Sequence, residues 1–217
     1  MTRLRIRVFS AALILGCAAT LAAAADWSPI SRDEALTRLN SAQPDQRRAA
    51  LARLAEVGTQ QDVPRMLQML WDDDELVRGM AEQALWGLWM RADDTTADAL
   101  FQQGIELIHE NEIDSAIEKF NQVVALKPEF AEVWNRLGDA YYDLGDTDRA
   151  LAEYAHALRL NPYHFGVLES CGGIWLERRD ARKAAEYFRR ALDLNPNLIE
   201  AAQVLRELEE KLDNDRI

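Results

Sequence analysis

Apolar residues recur along most of this chain at steps of three and four, the spacing that puts side chains on one face of an α-helix. Ser31-Arg32-Asp33-Glu34 has the form of a capping box and predicts the start of a short helix. Pro44 to Val57 predicts a second helix, opened by the proline and ended by Gly58. Val63, Met66, Leu67 and Leu70 predict a third, and Asp74 to Trp89 a fourth. From residue 97 the pattern repeats itself every 34 residues. Leu100, Trp134 and Leu168 fall in one column, Gly104, Gly138 and Gly172 in the next, then Leu107, Tyr141 and Trp175. Ala116, Ala150 and Ala184 follow, then Phe120, Tyr154 and Phe188, then Val123, Ala157 and Ala191, and last Pro128, Pro162 and Pro196. Large apolar residues alternate with small ones, so two antiparallel helices interlock within each unit and against the next unit.

One such pair cannot bury its apolar face alone, whereas stacked pairs share a continuous core. The period and the residue types resemble the tetratricopeptide repeat, and "WNRLGDAYYDLGDTDRALAEYAHALRLNP" in the middle copy is close to that family's ideal. The likeness covers 97–198, as repeats 97–130, 131–164 and 165–198, with departures at Gln103 and Cys171. A last helix over 199–213 carries Ala201, Val204, Leu205, Leu208 and Leu212 as one stripe with acids opposite, and reads as the cap of the stack. In the segment 26–93, Arg47/Arg78, Ala50/Ala81 and Leu54/Leu85 recur at a spacing of 31, and "DDDELVRGMAEQAL" resembles a HEAT-type repeat. The expected fold class is therefore all-α: a helical-repeat solenoid in which HEAT-like helices precede three tetratricopeptide pairs. "RADDTTAD", 91–98, marks the join, through which the helices are expected to run on as one solenoid or as two abutting arrays.

The first 25 residues have a different character. Arg3, Arg5 and Arg7 precede an apolar run from Val8 to Leu21, and Ala23-Ala24-Ala25 precedes Asp26, the order of a secretory signal peptide with cleavage between Ala25 and Asp26. The uncharged run reaches Ala25, so a retained anchor is an alternative. A third reading takes Leu13-Ile14-Leu15-Gly16-Cys17, which resembles a bacterial lipobox and would anchor the chain by lipidation of Cys17. Cleavage implies a periplasmic or secreted protein with no membrane insertion afterwards.

Charge narrows the partners. The leader holds three of the chain's 25 bases and none of its 37 acids, so the remainder keeps 22 bases and an excess of 15 negative charges. Such a surface repels phosphate backbones, which argues against nucleic acid and in favour of cationic partners. The 217 residues give no reason to expect a cofactor, a metal or catalysis. The three histidines, His109, His156 and His164, have no metal-ligand spacing, and Ile113 stands where a zinc-protease motif begun by His109-Glu110 needs its second histidine. Cys171, left alone if the leader goes, sits in a packing column and reads as a small buried hydrophobe.

In the family this chain resembles, the first helix of each pair lines a concave groove that takes an extended peptide or a partner's helix. Residues off the packing stripe are the candidates here: Phe101, Ile105 and Ile108; Asn135, Asp139 and Tyr142; Glu169, Gly173 and Leu176, with Asp98, Glu132, Asp143 and Glu177 nearby. The carboxylate-clamp form of that groove needs lysine, arginine and asparagine at its floor, and this floor is acidic and apolar. Phe101 with Ile105 and Ile108 is the expected apolar anchor, and Glu132, Asp139, Asp143 and Glu169 the strip for a partner's basic residue. Trp71, Trp86 and Trp89 are expected to lie buried over the open end of the first repeat. Arg178, Arg179, Arg182 and Lys183, with Arg189 and Arg190, form a basic cluster diluted by Glu177, Asp180 and Glu186, which reads as a solvated face. The expected activity is that of a non-enzymatic scaffold, and the rival is a lipid-anchored adaptor for peptidoglycan hydrolases or outer-membrane machinery.

Overall fold

The computed structural model describes residues 30–214, all helical or connecting, with no strand among them. The leader, with Cys17 and the Ala25/Asp26 junction, lies outside the described residues. Eleven α-helices follow one another: α1 (Arg32–Arg38), α2 (Pro44–Val57), α3 (Val63–Gln68), α4 (Glu75–Trp89), α5 (Thr95–His109), α6 (Ile113–Leu126), α7 (Ala131–Asp143), α8 (Thr147–Leu160), α9 (Phe165–Glu177), α10 (Ala181–Leu194) and α11 (Ile199–Asn214). None of the described helices is long and apolar enough to cross a membrane.

Helices α5 to α10 form three antiparallel pairs, and α11 lies on the last. The 34-residue columns have a direct physical meaning. A Cβ on Gly138 would stand 2.4 Å from the ring of Tyr154, so only glycine allows α7 and α8 to approach this closely. Gly104 meets Phe120 and Gly172 meets Phe188 in the same way. Helix starts are fixed by side chains that accept otherwise unpartnered backbone N–H groups: Asp94 for α5, Asp146 for α8, His164 for α9 and Asp180 for α10. The recurring Leu-Asn-Pro ends a pair because Asn161 and Asn195 each accept the N–H two residues on, from Tyr163 and Asn197, and so turn the chain through the proline.

The N-terminal helices build their own core from Ala50, Leu51, Leu54, Met66, Leu70, Val77, Ala81, Leu85 and Leu88, with α2 packed along α4. The arginines that recur at 31 both hold the Asp72–Asp74 turn. Arg47 donates to the Asp72 carboxylate at 2.6 Å, and Arg78 donates to the Asp72 carbonyl at 2.9 Å. Arg91 donates to the carbonyls of Ala55, Glu56 and Gly58 and thereby caps the C-terminal end of α2, where a cation is favoured.

At the join the N-terminal unit keeps its own core and abuts the repeats, the second of the two expected arrangements. The N-terminal unit does not continue the stack beyond the first repeat. It folds back across the inner side of all three repeats, because its apolar ridge finds cover there. Trp86 and Trp89 lie edge-on and stacked against His164 and Phe165 at the start of α9. Met90 packs against the core that contains Phe101 and Phe130, and Leu194 and Leu198 pack on the N-terminal core. Asn197 donates to the carbonyl of Leu70 at 2.8 Å, across 127 positions of sequence. The tryptophans therefore cover the third repeat rather than the first, and Trp71, expected to be buried, is 61% exposed.

Candidate partner-binding groove

Helices α5, α7 and α9 present their non-packing residues to one inner face, and the end of α4 crosses that face near their N-termini. Beneath it lies a continuous polar network. His164 accepts the N–H of Val167 on Nδ1 at 3.2 Å, which leaves Nε2 to carry the proton and donate to Glu132 at 2.8 Å. The other carboxylate oxygen of Glu132 takes Arg136 at 2.7 Å and Asn135 at 3.2 Å. Arg136 also reaches Asp139 at 3.1 Å, and Tyr154 donates its hydroxyl to Asp139 at 2.8 Å. Trp89 closes the network from above, stacked on the imidazole with ring centroids 4.6 Å apart.

Burial would push the Glu132 carboxyl up, but Arg136 and His164 together hold it below the usual carboxylate range. Asp139 goes the other way: burial raises it, with the charges of Glu132 and Asp143 adding, against the pull of Arg136 and Tyr154. Glu169 has no cation beside it. Burial raises its carboxyl to about 7, and Glu82 from α4 and Glu200 from α11 add to the shift. The Cys171 thiol is buried and pushed up to about 12 by desolvation, as expected of a packing residue.

These placements correct part of the expected groove. Phe101 is wholly buried, packed on Phe120 and Phe130, and is core rather than an anchor for a ligand. Glu132 and Asn135 are sealed beneath Trp89 and consumed by the internal network. Asp139 remains partly accessible, but both its oxygens already have partners. The portion left open lies toward the C-terminal ends of the three helices. It carries Ile105 and Ile108, Tyr142, Gly173 and Leu176, all half-buried, with exposed Asp143 and Glu177. Tyr142 donates its hydroxyl to Glu177, tying α7 to α9, and burial followed by that carboxylate raises the phenol's pKa.

Part of the basic cluster is engaged by neighbours. Arg178 pairs with Asp148 at 2.6 Å and, with Lys183, lies over the ring of Trp175, while Arg189 pairs with Glu209. Among the described residues, no group of three or more His, Cys, Asp or Glu is placed to hold a metal.

Two residues that matter here were not singled out from sequence, His164 and Gly166. A Cβ on Gly166 would stand 2.7 Å from the ring of Trp86, so the glycine makes room for α4. The signal was available: Gly166 occupies the column of Asp98 and Glu132, where a glycine breaks the pattern.

A tetratricopeptide-repeat family model matches residues 101–165 and 139–199. No curated protein matches the chain. Among solved structures it is similar to the first tetratricopeptide domain of Spaghetti (RPAP3), there bound to an HSP90 peptide, at 22% identity and TM-score 0.52, over 55% of this chain and 96% of that one. The Sgt2 domain from Aspergillus fumigatus gives 17% identity and TM-score 0.51, over 57% of this chain and 83% of that one. The MamA protein gives 20% identity and TM-score 0.50, over 69% and 82%. At these identities the likeness is one of fold. Repeated columns, interlocked pairs, matching family model and common fold agree that residues 101–199 fold as tetratricopeptide repeats.

Proposed function

We propose that this protein is an exported, non-enzymatic scaffold that holds an extended segment of a partner protein along the open part of its inner face. The observation that carries the reading is the strip of half-buried Ile105, Ile108, Tyr142 and Leu176 beside Asp143 and Glu177, left uncovered where α4 ends. The similar domain of Spaghetti binds the peptide SRMEEVD, which is acidic and ends in a carboxylate. An acidic segment does not suit this face, because Arg136 is held by Glu132 and Asp139 and adds no free positive charge to it. A segment of apolar and basic residues does. The apolar strip supplies the affinity, and the carboxylates act on selectivity and association rate, each exposed charge contact contributing about 1 kcal/mol or less.

The test is co-purification from envelope extract, followed by binding of the purified partner to Ile108→Arg and Asp143→Lys. A large salt-independent loss in the first and a smaller salt-dependent loss in the second are expected. Unchanged binding in both would move the partner elsewhere. Leu13 to Cys17 supports the second reading, an envelope adaptor anchored through an acylated Cys17. The mass of the mature protein separates it from cleavage before Asp26.

A further inference from the structure

The N-terminal unit meets the repeats along a seam of a different kind from the packing inside either body. Within each body neighbouring helices lie side by side, as α2 does along α4 and α9 along α10, whereas no helix of the N-terminal unit runs closely alongside a helix of the repeats. Rings hold the seam instead: Trp86 and Trp89 on Phe165, with one hydrogen bond from Asn197 to the Leu70 carbonyl. The covalent crossing is short. Arg91 is bound to the end of α2, and the N–H of the next residue, Ala92, donates to Asp98 of α5.

One group in the seam opposes closure. Glu82 stands one turn before Trp86 on α4, and Glu169 one turn after Phe165 on α9. Glu200 belongs to the first turn of α11, and the charges of Glu82 and Glu200 both act on Glu169. Desolvation, ahead of these two charges, raises the Glu169 carboxyl to about 7, and no cation lowers it. The arginines of the surrounding helices are turned elsewhere: Arg78 of α4 to the carbonyls of Asp72 and Asp73, Arg136 of α7 to Glu132 and Asp139, and Arg149 of α8 to Asp146. On α8 Arg159 meets His156, on α10 Arg189 pairs with Glu209 and Arg190 lies over Tyr187, and Arg206 of α11 is exposed. His164, also at the seam, is hydrogen-bonded to Glu132 beneath Trp89.

We propose that the N-terminal unit is a pH-sensitive clasp on the inner face of the repeats, held shut while Glu169 is protonated and loosened when Glu169 ionises between Glu82 and Glu200. With α4 lifted away, Glu169 meets water and loses Glu82 as a neighbour, so its carboxyl returns toward the ordinary range. The closed form therefore binds the proton more tightly than the open one. A rise in pH from about 4.5 to about 7 favours opening, and beyond that the effect levels off. Opening uncovers the His164–Glu132 pair and the part of the inner face that Trp89 seals, so this surface is shielded in acid and more accessible near neutral pH.

Amide hydrogen exchange of the mature chain at pH 5 and pH 8, each corrected for the intrinsic rate, tests the clasp. Amides at the end of α4 and the start of α9 should exchange faster than those of α5 and α6, with only a shallow dependence on dilute urea, as expected of a partial opening. Their protection should fall about tenfold or more from pH 5 to pH 8. Glu169→Gln, uncharged at both values, should abolish the fall, and Glu82→Gln should reduce it, because Glu82 is a neighbour of Glu169 only across the closed seam. Seam amides that exchange at the same rate and with the same urea dependence as α5 and α6 would overturn the proposal, since the two bodies would then part only on global unfolding. A fall that persists in Glu169→Gln would overturn it by moving the pH dependence to another group.

Discussion

Glu169 shows most clearly what one side chain does here. It is largely buried between α4, α9 and α11, with Glu82 and Glu200 as its charged neighbours and no hydrogen-bond donor. With its folded carboxyl raised to about 7 from the ordinary 4.5, the folded state binds the proton more tightly than the unfolded one. Stability must therefore fall as pH rises from about 4.5 to about 7, and then level off. Glu169→Gln should remove that slope, stabilising the protein by about 1–3 kcal/mol at pH 8 and by much less at pH 5, as read by urea unfolding at the two values. Glu132, more deeply buried, shows the contrast: His164, Arg136 and Asn135 satisfy its charge, and its removal would leave His164 without its acceptor and Arg136 with Asp139 alone.

At the scale of elements, α4 is the helix that the sequence describes least well. Its own amphipathic pattern placed it correctly, since Val77, Ala81, Ala84 and Leu88 form the stripe that meets α2. Its second face, Trp86 and Trp89, was legible as apolar but not as belonging to α9. The repeat columns were legible because each contact is made again 34 residues later, so a single packing rule appears three times. The closure on α9 occurs once and between distant segments, and no periodicity records it. For the same reason the groove positions were legible as a register, while their burial was not: Phe101, Glu132 and Asn135 look available on their own helices and are sealed by another part of the chain. Trp89→Ala should cost about 3–5 kcal/mol, because its ring is 2% exposed and supports both His164 and Phe165. Hydrogen exchange should then quicken at the start of α9 and along α4, while the α5–α6 pair keeps its protection.

Across the whole molecule, the fold-back changes what an array of repeats ordinarily is. Stacked helix pairs depend on nearest neighbours, and their ends are covered only by a cap. Here the N-terminal unit ties all three repeats together, packing on the core of the first, reaching Arg136 in the second and meeting Phe165 and Asn197 in the third. A fragment of 94–217 should accordingly unfold at lower denaturant and bind a hydrophobic dye, because Phe165, Leu194 and Leu198 lose their cover. A fragment as stable as the full chain would show the closure to be energetically idle. The contact between Leu70 and Asn197 also bears on how the chain is made. A ribosome releases the N-terminal unit well before residue 198, so Trp86 and Trp89 wait for the surface that covers them until the third repeat has been made. Distant contacts of this kind close slowly, and exposed tryptophans are adhesive in the meantime. The newborn chain thus has a period of vulnerability that ends only when its final repeat arrives.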